Sequence, residues 1–244
     1  VYNYCLISLE RHINSYHCEI RTMEIINPGP EDYHMHSSSY SDGMNSVDEL
    51  VRFAGEIGLR KIAITDHSDA LVKRFGWAQK TYREFTERWK NVLNDVTVLF
   101  GVEGDILNED GDVCIEIQGI EGDFLVLSAH DKVYNGDPQR ITDAYVRAMQ
   151  RHHKKIDVIG HPCHSMFAGK VDMDTIIEVA NRYEIPLEIN AGQMLNKKTD
   201  FDNLRILVRE AEKVYINSDA HTLYELQEAR EISKPFLRKM GVNI

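Results

Sequence analysis

The chain has 244 residues, of which 43% are hydrophobic, and its formal net charge is -11 at pH 7. This length suits one large domain with a packed core. The negative charge argues against a broad nucleic-acid footprint, and no apolar run reaches the length that a membrane span needs. Four cysteines (Cys5, Cys18, Cys114 and Cys163) lack a CxxC spacing, so we expect free thiols and a cytoplasmic location.

The first thirty residues differ from the rest of the chain. Residues 1–22 lack the basic start and long apolar centre of a signal peptide, and Met23 could serve as a natural start. Asn27-Pro28-Gly29-Pro30 is a turn-rich break. We therefore interpret residues 1–30 as an N-terminal extension that could be non-native or partly ordered, and residues 31–244 as one barrel domain.

From residue 31 onward, short apolar runs alternate with helical patterns. The predicted strands are residues 32–36, 61–64, 97–101, 124–128, 156–159, 186–190 and 214–217. The predicted helices are residues 47–57, 81–94, 141–151, 174–183 and 204–213, with a last helix that begins at Thr222. An acidic turn at residues 108–112 suits a small hairpin. Because this alternation requires right-handed crossovers, we predict a parallel α/β sheet that closes as a barrel.

Histidines and carboxylates follow six of these seven strands. His34 and His36 share one face, because positions i and i+2 of a strand point the same way, and Asp42 follows on a turn. The other candidates come at the ends of later strands: His67, Glu103, His130, His161, Asp219 and His221. Since the carboxyl ends of barrel strands meet at one mouth, we expect all nine side chains at a single site.

Nine donors exceed the three protein ligands of a single catalytic zinc ion. We therefore predict two or three divalent metal ions, and nitrogen and oxygen ligands permit zinc, manganese or iron. Such a cluster lowers the pKa of a bridging water and stabilises the charge that develops in phosphoryl transfer to water. Any one candidate taken alone, such as His130 or His161, could instead be a structural histidine.

Four neighbouring residues have less certain roles in the sequence. Glu188 lies on the strand that has no downstream ligand, and we interpret it as orienting a ligand or carrying a proton. Asp66 is interpreted as orienting His67 or another ligand. His164 is interpreted as a loop histidine, and Cys163 is a less favoured additional ligand.

The motifs resemble, in order, those of the PHP (polymerase and histidinol phosphatase) domain family. They are His34-Met35-His36, Ser41-Asp42-Gly43, Ile64-Thr65-Asp66-His67, Gly101-Val102-Glu103, Ser128-Ala129-His130, Gly160-His161-Pro162 and Ser218-Asp219-Ala220-His221. The resemblance covers about residues 31–232. It implies a distorted (β/α)7 TIM-like barrel, a trinuclear metal site and metal-dependent phosphoesterase activity.

The same resemblance implies how the ligands are divided among three ions. One ion would be held by His34, His36, Glu103 and Asp219. Glu103 would bridge to a second ion held by His130 and His161, and a third ion would be held by Asp42, His67 and His221. Some members of the family have histidine at the position of Asp42, which leaves open whether the third site is occupied. We expect Glu103, Asp219 and Glu188 to act in catalysis.

The predicted function is that of a stand-alone phosphatase, a hydrolase acting on a phosphomonoester of a small metabolite such as histidinol phosphate. Three segments, Ser41-Asp42-Gly43, residues 103–107 and residues 187–191, more closely resemble the PHP domain of X-family DNA polymerases. A DNA 3′-end phosphatase or exonuclease is therefore one alternative, although nucleic acid is the less favoured partner. An amidohydrolase-type barrel, which also begins with His-x-His, is another alternative, but His67 and Glu103 do not match its pattern of ligands. A non-catalytic metal-binding barrel is a further alternative. The complete ligand set counts against it, because an inactive barrel would be free to lose ligands.

Overall fold

The structure is a computed structural model that describes residues 23–77 and 81–244. Within these ranges the strands are β1 (Glu24–Ile25), β2 (Glu31–Asp32), β3 (Lys61–His67), β4 (Thr97–Ile106), β5 (Val113–Cys114), β6 (Leu125–Ser128), β7 (Val158–Ile159), β8 (Leu187–Asn190) and β9 (Lys213–Asn217). The α-helices are α1 (Val47–Glu56), α2 (Asp69–Phe75), α3 (Tyr82–Arg88), α4 (Ile141–His152), α5 (Met173–Arg182), α6 (Ala191–Leu195), α7 (Phe201–Glu210) and α8 (Leu223–Lys239).

Seven strands form the parallel wall that the sequence predicts. The path across the sheet runs β2-β3-β4-β6-β7-β8-β9, and each neighbouring pair is parallel. The two ends of this path meet beyond the strands, where Met35 pairs with Ala220 and the His36 amide donates to the Ala220 carbonyl at 2.9 Å. The sheet therefore curls into a barrel, and the carboxyl ends of its strands surround one mouth.

The barrel is distorted between β4 and β6. Residues 107–124, all of them described, form a hairpin and turns in place of a crossover helix. The end of β4 pairs antiparallel with β5, and the Leu107 amide donates to the Asp112 carbonyl at 2.8 Å across the acidic turn. The hairpin predicted from that turn is thus confirmed.

The sheet begins upstream of residue 31, where the sequence places the start of the barrel domain. Strand β1 pairs in parallel with β9, with Glu24 opposite Lys213. The Asn27 side chain donates to the Ile216 carbonyl and to Oδ1 of Asn217, each at 3.0 Å. The free edge of β9 needs hydrogen-bond partners, and residues 24–27 provide them. The predictions for residues 1–22 lie outside the described residues.

The helices pack around the outside of the barrel and begin at polar caps. Helix α1 begins at the predicted capping box, in which Ser46 and Glu49 bond to each other's backbone amides, and its apolar face is buried. Helix α3 is shorter than the predicted 81–94, because Asn91 bonds to the Leu93 amide and the Val96 carbonyl and forms a turn there instead. No helix in the described part of the chain is long and apolar enough to cross a membrane.

Candidate metal centre

The predicted ligands meet around the buried carboxylate of Glu103, which lies on β4 at the mouth of the barrel. Its Oε1 lies 2.7 Å from Nε2 of His161 and 3.4 Å from Nε2 of His130. The same oxygen lies 3.5 Å from Nε2 of His34. Its Oε2 lies 2.9 Å from Nδ1 of His67. One carboxylate thus contacts imidazoles from four separate segments, as the convergence of parallel strand ends requires.

Asp219 faces Glu103 from the turn after β9. Its Oδ1 lies 3.2 Å from Nε2 of His36 and 3.4 Å from Nε2 of His34. His36 also lies 3.4 Å from Oε2 of Glu103. The two histidines therefore lie between two carboxylates, on the shared face that their i, i+2 spacing predicts.

Asp42 reaches the site from the turn that follows His36. Its Oδ1 lies 3.2 Å from Nε2 of His221 and 3.4 Å from Nε2 of His67. The next residue, Gly43, packs so closely on the His36 carbonyl that a Cβ there would lie 2.1 Å from its oxygen. A glycine is required at this position, and its close approach folds Asp42 back over the histidines.

Three overlapping sets of side chains bring one donor atom from each member within 4.8 Å of one another. They are His36 with Asp42, His67 and His221, then His34 with His36 and Asp219, and then His67 with Glu103 and His130. His36 and His67 belong to two sets each. The grouping therefore differs in detail from the division implied by the family resemblance, although all nine predicted side chains come together.

The donor set fits divalent cations. Nε2 of His34 is buried without a hydrogen-bond partner, which is unusual for such an atom unless an ion binds it. Glu103, Asp42 and Asp219 crowd one pocket, and in the described residues their ion-pair contacts are to histidines rather than to lysine or arginine. Because carboxylates packed this closely need compensating positive charge, the pocket suits divalent metal ions.

The imidazoles perturb the protonation of this cluster strongly. Burial alone would raise the pKa of Glu103, but the charges of His130 and His34 outweigh burial and hold that pKa well below its usual value. Burial, together with the neighbouring His221 and His67, lowers the pKa of His36 to about 3. His36 is therefore neutral at physiological pH, with a lone pair available to a ligand ion.

Glu188 lies behind His34. Its Oε1 accepts hydrogen bonds from Nδ1 of His34 at 2.8 Å and from Nδ2 of Asn217 at 2.9 Å. Its Oε2 accepts from the His161 amide at 2.9 Å and from Nδ2 of Asn190 at 3.0 Å. Because Glu188 accepts hydrogen bonds from four donors, it orients two candidate ligands, His34 and His161. Of the two roles that the sequence left open, this geometry favours orientation over proton transfer.

Two further carboxylates support the cluster from outside. Asp105 accepts a hydrogen bond from Nδ1 of His130 at 2.7 Å. Asp105 is not among the residues predicted from the sequence, although its i+2 spacing from Glu103 on β4 indicates that the two carboxylates share a face of the strand. Asp66 accepts from the amide and hydroxyl of Ser37, both at 2.6 Å. It therefore anchors the loop after His36 rather than orienting a histidine ring.

Two candidate ligands lie on strained backbone. His161 has φ of 31° and Asp219 has φ of 50°, both in the left-handed region that residues other than glycine seldom adopt. Such a conformation costs about 1–3 kcal/mol and persists where the surrounding structure enforces it. The Asn190 side chain, which bonds to Oδ2 of Asp219 at 3.0 Å, is one of the contacts that hold the carboxylate in place.

A cavity of about 330 Å³ opens above the cluster. One wall is apolar and consists of Leu71, Phe75, Trp77 and Met166. Trp77 stacks on Phe75 at 5.2 Å and on His67 at 5.7 Å between ring centroids. Lys132 and Lys198 also line the cavity.

His164 also lines this cavity, whereas Cys163 is packed in the core. Burial, the neighbouring His161 and the Lys198 cation lower the pKa of His164 to about 4. Burial raises the pKa of the Cys163 thiol, so a thiolate ligand is disfavoured there.

Comparison with known proteins agrees with this geometry. A "Probable phosphatase" of Citrobacter koseri is 29% identical over 213 residues, covering 84% of each chain. A "Probable phosphatase" of Clostridium acetobutylicum is 26% identical over 216 residues, covering 83% of each chain. The histidinol phosphate phosphatase of Lactococcus lactis, solved with zinc, L-histidinol and phosphate, matches with a TM-score of 0.54 at 17% identity. That match covers 87% of this chain and 94% of the other.

The family itself is established by a direct match. The model of the PHP domain matches residues 32–192, which include seven of the nine side chains described above. The solved structure has the same fold, so the predicted distorted TIM-like barrel is confirmed. By its sequence and its fold, the chain belongs to the PHP domain family.

Proposed function

We propose that the chain is a metal-dependent phosphatase that hydrolyses a phosphomonoester of a small metabolite, with a substrate similar to histidinol phosphate. The observation that carries this proposal is the convergence of six histidines on three carboxylates, Glu103, Asp42 and Asp219, beneath one open cavity. The named relatives are described as probable phosphatases, and at that level the predicted class, a hydrolase of phosphoric esters, is confirmed.

Two or three divalent ions, zinc, manganese or iron, would be held by the nine predicted ligands. The Lactococcus relative was solved with zinc, which supports a divalent metal here. When bound, such ions lower the pKa of water and stabilise charge on phosphoryl oxygens. Glu103 is the side chain best placed to contact two ions, because its two oxygens face different histidines.

The remaining polar residues would keep these ligands in position. Glu188 holds Nδ1 of His34, so that Nε2 of the same ring stays free toward Asp219 and Glu103. Asp105 does the same for His130 from the opposite side. A hydrolytic site depends on such positioning, because the charge of the transition state is stabilised only by groups that are already oriented.

The size of the cavity supports a small substrate. About 330 Å³ lies at the lower end of the range for ligand pockets, roughly 300–1,000 Å³. Two lysines, Lys132 and Lys198, line the cavity. A cluster of metal cations with one or two lysines is enough to attract a phosphate group into a negatively charged protein.

A second candidate, a DNA 3′-end phosphatase or exonuclease, is favoured by one observation. The stacked pair Phe75 and Trp77 lies in the cavity wall, and stacking aromatics near the mouth are what single-strand binding requires. The other requirement is a basic groove that follows the strand. Two cavity lysines, one of them paired with Asp131, supply little of it.

Turnover of three substrates distinguishes the candidates. Purified protein is reconstituted separately with zinc, manganese and iron, then assayed on histidinol phosphate, a generic phosphomonoester and a 3′-phosphorylated oligonucleotide. We expect the small esters to be turned over faster, with Glu103→Gln as the inactive control. Clear preference for the oligonucleotide would select the second candidate. Lack of hydrolysis with every metal would reject both.

A further inference from the structure

The His164 side chain lines the cavity above the candidate metal centre. It precedes the short 3₁₀ turn Ser165–Phe167, and its ring lies 5.9 Å from the ring of His161 in an edge-on arrangement. In the described residues His164 has no contact with a carboxylate of the cluster, unlike His161, and it is absent from the three sets of donors that could hold an ion. His164 is therefore a polar group that faces the substrate space without belonging to the candidate metal ligands.

The structure determines which nitrogen of His164 carries the proton. The Met166 amide donates a hydrogen bond to Nδ1 of His164 at 2.9 Å, so Nδ1 is an acceptor and has no hydrogen. The imidazole is then neutral, and its single proton is on Nε2. Within residues 23–77 and 81–244, Nε2 has no protein acceptor, although the side chain lines the cavity. The ring thus presents an unused N–H donor.

Lys198 provides a cationic group from the adjoining loop. The two loops are joined by hydrogen bonds, with the Ser165 amide donating to the Lys198 carbonyl and the Asp200 amide donating to the Cys163 carbonyl, both at 2.8 Å. Lys198 lines the cavity, and in the described part of the chain it has no carboxylate partner. Lys132, by contrast, pairs with Asp131 at 3.1 Å.

We propose that Nε2 of His164 and Nζ of Lys198 form an anion-binding pair that holds non-bridging oxygens of the substrate's phosphate group. This inference rests on the proposed function, because it names the group through which that substrate is held. A neutral N–H donor and a free ammonium suit phosphate oxygens, and a hydrogen bond to a charged group is stronger than one between neutral groups. The pair also limits where the ester can lie, because the two loops that carry it are joined.

Two substitutions at His164 separate this role from a structural one. His164→Asn keeps a side-chain acceptor for the Met166 amide and removes the Nε2 donor. His164→Gln extends an amide N–H toward the Nε2 position and loses the local acceptor. If His164 only caps the turn, His164→Asn will keep the thermal stability of the wild type, His164→Gln will lower it, and phosphate affinity will not change. If His164 binds phosphate, His164→Asn will lower the phosphate affinity and His164→Gln will partly retain it.

The test measures binding of inorganic phosphate to the manganese-loaded protein by calorimetry, with metal content checked for every variant. We expect His164→Asn to weaken phosphate binding roughly 10- to 100-fold at unchanged metal content, with partial recovery in His164→Gln. Lys198→Gln should weaken binding too, whereas Lys197→Gln, at a neighbour outside the cavity lining, should not.

The outcomes of this test are distinct. Wild-type affinity in His164→Asn would overturn the proposal and leave His164 as a turn cap. Loss of metal from His164→Asn would also overturn it, because the residue would then belong to the metal centre. If the wild-type protein binds phosphate through His164 but hydrolyses no ester, the proposed function fails while the anion-binding pair stands.

Discussion

Nδ1 of His34 donates a hydrogen bond to Oε1 of Glu188 at 2.8 Å, and this contact lies entirely inside the protein. It leaves Nε2 of the same ring between Glu103 and Asp219, without a hydrogen-bond partner. A buried carboxylate behind a histidine determines which ring nitrogen is free, and so determines whether that histidine can act as a ligand.

Glu188→Gln is expected to weaken metal binding while the barrel remains folded. The amide cannot accept all four hydrogen bonds that the carboxylate accepts, so His34 loses its fixed orientation. Loss of such a partner reduces metal affinity by roughly 10- to 100-fold. Competition with a chelator measures the change, and Glu178→Gln, at an exposed glutamate of α5, is the matched control. Equal affinities in the two variants would contradict a positioning role for Glu188.

Glu103→Ala or Asp219→Ala should abolish hydrolysis and lower the metal content, since each removes a charge around which several histidines gather. The fold should survive, because the hydrophobic core is built from other residues. Phosphatase assays, elemental analysis and circular dichroism test the three claims. Cys163→Ala is the milder comparison, because its side chain packs in the core. If it lost metal as fully as Glu103→Ala, the proposed ligand set would be incorrect.

Elemental analysis after reconstitution with manganese, iron or zinc should return two or three ions per chain. Eight of the nine predicted ligands fall into three overlapping sets, and His161 contacts Glu103 beside them, so the donors exceed what one tetrahedral ion can use. His221→Ala should remove part of this metal and spare the rest, because His221 belongs to one set alone. A wild-type content of one ion or fewer would contradict the prediction.

Metal binding should release protons and become tighter between pH 7 and pH 9. Burial alone would lower the pKa of His67, but Glu103 and Asp42 outweigh burial and raise it from 6.5 to about 9. The bond to Asp42 likewise overcomes burial at His221 and raises its pKa to about 9.

Both rings are therefore charged in the metal-free protein at pH 7, and each must lose its proton to bind an ion. In the metal-free protein their ion pairs stabilise the fold below about pH 6.5, and this stability is lost as the pH rises through 9. Calorimetry in two buffers that differ in ionisation enthalpy measures the released protons. Metal affinity that is independent of pH would refute this prediction.

Small phosphomonoesters should be hydrolysed faster than single-stranded DNA is cleaved, and duplex DNA should bind weakly at physiological salt. A chain with a net charge of -11 repels a long polyanion, whereas a small ester enters the local field of the metal centre. Trp77→Ala should then have little effect on binding of oligonucleotide. A large loss of oligonucleotide binding in Trp77→Ala, measured by fluorescence anisotropy, would support the aromatic wall as a base-stacking surface.

The sequence alone was enough to predict the fold class and to nominate the residues of the candidate site. Strand-and-helix alternation implies a parallel barrel, and the carboxyl ends of parallel strands meet, so residues as distant as His34 and His221 could be assigned to one mouth. The helix boundaries were less certain. Helix α3 ends early because Asn91 forms its own turn, a local competition that periodicity does not reveal.

The roles of the neighbouring polar residues depend on contacts that exist only in the folded protein. Asp66 bonds to Ser37 rather than to His67, and Asp105 rather than Asp66 orients a histidine. His164 faces the cavity because a turn joined to the Lys198 loop points it there. Such contacts join residues far apart in the chain, and side-chain directions of this kind depend on how loops pack. Periodicity encodes which face of a strand a residue occupies, whereas the partner that it meets there is set by the folded barrel.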